Sequence, residues 1–184
     1  MNNIALVGSG NAFFKDEGIG LYAAKFLKEN YDFGPGIEIV DGGTLGFRLM
    51  PLLQEFAKVL IVNTASDDDM APGTITVRGC DEFLEGSLIK KTANEVEIAE
   101  MLQICSLTES MAETVIVSIV PEDIFSVEVG LTGRLKAAWP SYIDTVLTQL
   151  EAFGAVGRKR AETMELEAVL QTFASPSIEH GRGF

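Results

Sequence analysis

Short apolar runs at 3–8, 37–41, 58–64, 74–78 and 114–120 alternate with segments whose apolar residues recur every three or four positions. This alternation limits the possible folds more than any other feature, because strand periods interleaved with helix periods imply parallel strands joined by helical crossovers. The expected architecture is a single three-layer α/β domain, with a mostly parallel sheet of about five strands flanked by helices. The run at 74–78 follows the turn residues Ala71-Pro72-Gly73-Thr74 and is expected antiparallel at an edge. A chain of 184 residues, 47% of them hydrophobic, is long enough to bury one sizeable core.

The first helix is expected over Asp16 to Glu29, burying Ile19, Tyr22, Ala23, Phe26 and Leu27. A shorter one follows Gly46 and carries Phe47, Leu49, Met50, Leu52 and Leu53, with Pro51 tolerated in its first turns. Ala93 to Leu107 makes a third helix. The fourth starts at Thr132, a good N-cap, and reaches about Phe153 with a kink expected at Pro140. After Gly154 the composition changes to the basic cluster Arg158-Lys159-Arg160 and a short helical segment over 161–173, too short to persist without a docking surface. The division read from this is a domain over 1–154 and a C-terminal extension over 155–184, a short helix followed by a flexible tail.

Charge and composition remove several classes of function. Fourteen basic against 27 acidic residues give a net charge of −13, which repels phosphate backbones and anionic lipid, so neither nucleic acid nor membrane is an expected partner. No apolar run has membrane-spanning length and the N-terminus lacks a secretory pattern, so the expected location is cytoplasmic. Cys80 and Cys105 do not form a zinc signature and read as packing residues. His180 is the one histidine and lies in the tail, which excludes a His-pair metalloprotease motif and disfavours a Ser-His or Cys-His apparatus.

Chemistry is expected where the loops at the carboxyl ends of the strands converge. The first strand ends in Gly8-Ser9-Gly10-Asn11, followed by Asp16-Glu17-Gly18-Ile19-Gly20, which brings two adjacent carboxylates to that opening. The same carboxylates also suit the first turn of a helix. The second strand ends in Asp41-Gly42-Gly43-Thr44, the third runs into the loop from Asn63 to Asp69, and Ala93-Asn94-Glu95 opens the third helix. Asp41 reads equally as a turn former and as a group that places substrate. Gly8-Ser9-Gly10 lacks the third glycine of a dinucleotide fingerprint, so a nucleotide-binding reading rests on fold analogy alone.

Six motifs in register, Gly8-Ser9-Gly10-Asn11, Asp16-Glu17-Gly18-Ile19-Gly20, Asp41-Gly42-Gly43-Thr44, Ala71-Pro72-Gly73-Thr74, Val120-Pro121-Glu122 and Gly130-Leu131-Thr132, resemble the hydrogenase maturation endopeptidases over roughly residues 1–152. The resemblance implies an α/β domain of phosphorylase/hydrolase-like type. It also implies removal of the C-terminal extension of a nickel-iron hydrogenase large subunit after nickel insertion, with the large-subunit precursor as partner. No cofactor of its own is implied; the nickel belongs to the substrate, and an acid, an Asp and a His of the family contact it. Carried over by position, the acid is Glu17, while Thr64 and Asn94 stand at the other two positions, and both are poor nickel donors. Glu17 and Asp41 are the implied catalytic residues, and Gly42, Gly43 and Thr44 the implied substrate contacts. An alternative reading is a non-proteolytic assembly relative that has lost nickel recognition.

Overall fold

In the computed structural model, which describes residues 3–44, 46–86 and 91–175, the strands β1 (Ile4–Ser9) and β4 (Lys58–Thr64) lie side by side at the middle of a five-stranded sheet. The remaining strands are β3 (Ile37–Gly43), β5 (Ile75–Gly79) and β6 (Glu113–Ile119), in the order β3-β1-β4-β6-β5. All pairs are parallel except β5 with β6, so the turn at Pro72-Gly73 does lead into an antiparallel edge strand. From β1 the chain first builds outward to β3 and then returns to the other side of β1 as β4. Loops therefore diverge from the carboxyl ends of β1 and β4, the point where an open α/β sheet leaves a crevice.

Alternation along the buried strands sends side chains to two cores. Leu6, Leu60, Val62, Val117 and Ile119 meet α1 (Ile19–Asn30), α5 (Gly133–Phe153) and α6 (Leu166–Ala174) on one face. Ala5, Val7, Val59, Ile61 and Ile116 meet α2 (Met50–Glu55), α3 (Cys80–Glu85) and α4 (Ala93–Ser106) on the other. Cys105 is fully buried in that second core and Cys80 packs against it as a free thiol.

The first helix starts later than its sequence suggests. Lys15–Gly18 is a separate 3-10 turn and α1 begins at Ile19, because Lys15 takes a left-handed backbone (φ 43°) and Asp16 is drawn to another part of the molecule. Thr132 caps α5 as expected, its side chain accepting from the Leu135 N–H, and Pro140 lies within the single helix that follows. The basic cluster forms β7 (Arg158–Lys159), which pairs antiparallel with β2 (Tyr31–Asp32). Asn30 holds the next stretch by donating to the Met164 carbonyl (2.8 Å) and accepting from its N–H (2.5 Å). Val169 and Leu170 of α6 are then buried in the first core, so the short helix docks on the domain itself. His180 and the rest of the tail lie outside the described residues.

Candidate functional site

Beyond the carboxyl ends of β1 and β4 lies a cleft of about 440 Å³, lined among others by Glu17, Thr44, Thr92, Asn94, Glu97 and Phe125. Its tight packing depends on two glycines. Gly10 has φ 149°, and a methyl group there would overlap the Glu17 carbonyl oxygen; one at Gly20 would overlap the carbonyl oxygens of Ser9 and Val62. The turn carrying Glu17 is thus pressed directly onto the ends of β1 and β4.

The two adjacent carboxylates have separate tasks. Asp16 is fully buried and points away from the cleft. It accepts from the N–H groups of Glu122 (3.0 Å), Asp123 (2.9 Å) and Thr132 (2.7 Å) and from the Thr132 hydroxyl (3.0 Å). One side chain therefore fixes both ends of the loop after β6, whose Ile124 and Phe125 form a wall of the cleft. Glu17 lines the cleft yet is only 6% exposed, and burial pushes its carboxyl above the usual value of 4.5. A hydrogen bond with the Thr92 side chain opposes that rise, and the nearby charge of Glu95 adds to it.

Glu95 is also structural. It completes a capping box with Thr92, and its carboxylate accepts from the N–H groups of Lys91 (3.1 Å) and Thr92 (3.0 Å) and from the Ser66 hydroxyl (3.0 Å) and N–H. The loop leaving β4 is thereby tied to the start of α4. Asn94 is brought beside Glu17, but its amide is already engaged: it accepts from the Ser9 hydroxyl (3.1 Å) and donates to the Gly43 carbonyl (3.4 Å). It cross-links the ends of β1, β3 and α4. Thr64 is buried at the end of β4 and is not among the residues lining the cleft.

Asp41 does not share the cleft with Glu17. It is exposed, accepts from the Gly43 N–H (3.0 Å) as a turn former, and borders a different cavity of about 380 Å³ against α1 and α6. Gly42 is buried against Gly8 and Val7, Gly43 takes φ 45°, and the exposed Thr44 reaches the cleft. Asp67 pairs with Arg78 (3.7 Å) and Asp68 with Lys91, so these acids are neutralised locally. Among the described residues no group of three His, Cys, Asp or Glu side chains is placed to hold a metal ion.

Residues 21–149 match the family model HycI, hydrogenase maturation protease. The chain belongs to this family. It is 28% identical over 160 residues to the hydrogenase expression/formation protein HoxM of Azotobacter vinelandii, covering 86% of this chain and 77% of that one. Against the hydrogenase 2 maturation protease of Escherichia coli it is 26% identical over 152 residues, covering 82% of this chain and 92% of that one. The fold agrees with the hydrogenase maturating endopeptidase HybD of E. coli at a TM-score of 0.79 and 25% identity, over 86% of this chain and 98% of that one.

For this member of the hydrogenase maturation protease family, the sequence placed Glu17 and Asn94 at one crevice but did not reveal the bonds that commit Asn94. Glu97, the second carboxylate lining the cleft, went unread because its place on α4 resembles an ordinary solvated face. The Thr92-x-x-Glu95 pattern was the available signal for the capping box and so for the orientation of α4. No helix among the described residues is long and apolar enough to cross a membrane.

Proposed function

We infer that this chain is a working endopeptidase that removes the C-terminal extension of a nickel-iron hydrogenase large-subunit precursor, with the extension lying in the Glu17 cleft. Members of its family are hydrogenase maturation proteases, and its task in hydrogenase maturation follows from that membership. The observation that carries the reading is Glu17: a carboxylate kept in a cleft at the β1/β4 switch point, its charge disfavoured by burial and by Glu95. Such a group gains most from an arriving cation. Nickel held by the precursor is that cation, and it is substrate, not a resident cofactor.

Glu17 is the anchor at the metal-loaded end, and Thr44 and Phe125 flank the chain that extends from it. Asp41 contributes by holding the Gly42-Gly43 turn that delivers Thr44 to the cleft. Asn94 and Thr64 add no strong nickel donor, so contact with the metal rests on Glu17 alone at the three family positions. Nickel bound in the precursor would supply Lewis-acid chemistry at the scissile carbonyl.

Mass spectrometry of the nickel-loaded precursor, incubated with and without this protein, tests the reading. A loss equal to the C-terminal extension is expected only with the protein and nickel both present. An unchanged precursor mass would overturn the endopeptidase reading and leave the non-proteolytic assembly alternative.

A further inference from the structure

Three large apolar side chains stand in solvent at the mouth of the cleft: Phe13 is 66% exposed, Phe125 80% and Val127 77%. They lie on two loops bonded to each other, the Glu128 N–H donating to the Phe13 carbonyl (2.9 Å) and the Lys15 N–H to the Glu128 carbonyl (2.9 Å). Neither loop is free to collapse and hide them. The Asp16 carboxylate fixes one loop to the other, and Lys15 Nζ pairs with Glu128 at 2.8 Å. Exposed apolar groups held in a fixed frame lose little conformational freedom on binding, which is how an interaction surface is preorganised.

Phe125 also separates two grooves. It lines the Glu17 cleft and the adjoining groove of about 310 Å³ that runs past Pro72 and Val120. Whatever covers this rim must therefore lie against the chain that enters the cleft. A second copy seated there would obstruct the cleft, and at a net charge of −13 two copies repel.

We propose that Phe13, Phe125 and Val127 form a docking rim for an apolar surface on the folded body of the large-subunit precursor, at the root of its extension. This rests on the endopeptidase reading above. The rim seats the folded body, and the cleft receives the tail. The two contacts are separable because Phe13 and Val127 do not line the cleft.

The test compares wild type with the double variant F13S/V127S, which alters exposed side chains only. Dissociation constants are measured for the nickel-free precursor, which stays uncut, and for a synthetic peptide of its C-terminal extension, alongside melting temperatures. The variant is expected to bind the precursor about tenfold more weakly or worse, with peptide affinity and melting temperature unchanged. Unchanged affinity for the precursor, or an equal loss for precursor and peptide, would overturn the proposal. A wild-type dimer in sedimentation that the variant abolishes would also overturn it, by making a second copy the occupant. Wild-type protein that binds through the rim yet leaves the nickel-loaded precursor uncut would contradict the endopeptidase reading and leave the rim standing.

Discussion

Asp16, Glu17 and Glu95 are chemically alike and differ entirely in what they do, because each meets different partners. Asp16 accepts four hydrogen bonds in the dry interior, so Asp16→Asn keeps the shape but turns an N–H₂ group toward donors. A loss of about 2–4 kcal/mol in urea-unfolding stability is expected, reflecting stranded donors and a broken buried network. Glu17 has the opposite sign. Its folded-state carboxyl sits above 4.5, so the protonated form is the one folding favours, and a stability cost appears as pH rises through the raised value. Glu17→Gln should melt with the wild type near pH 4 and a few degrees above it at pH 7, measured by calorimetry at both pH values. A wild type that melts higher than this variant at pH 7 would contradict the burial argument. The sequence showed the adjacent acids and their position after a glycine turn. It did not show their division of labour, since the donors that capture Asp16 lie 106 to 116 positions further along the chain.

Elements were legible where one local period dominates. The five strands and the long helix from Thr132 follow from apolar spacing, capping and turn residues, and the antiparallel edge strand was announced by Pro72-Gly73. The start of α1 was misread because propensity favours acids in a first turn, whereas tertiary bonds to Asp16 and the left-handed Lys15 make a 3-10 turn there. The two-residue strands β2 and β7 carry too few residues to show a period at all. Helix α4 shows how an element sets the site: its capping box both starts the helix and holds Thr92 against Glu17. Thr92→Ala should cost about 1 kcal/mol of stability through the lost cap. It should also move the Glu17 titration upward, because the Thr92 bond is what opposes burial there. A carboxyl carbon NMR titration follows that shift, and a downward movement would refute it.

Across the whole molecule, the cleft exists because the strand order reverses between β1 and β4 and three sets of loops close over that point. The C-terminal segment contributes from the far side by burying Val169 and Leu170 against α1 and α5. Ending the chain after Gly154 should therefore lower stability by about 3–6 kcal/mol in urea unfolding, from those two side chains alone; an unchanged midpoint would mean the segment is dispensable. Contact between Glu17 and the nickel-loaded tail in its cleft is measured by kcat/KM for the nickel-loaded precursor with wild type and Glu17→Gln. A fall of about a hundredfold or more is expected in a variant that melts no lower than wild type at pH 7. Processing of the precursor by that variant at the wild-type rate would contradict that contact.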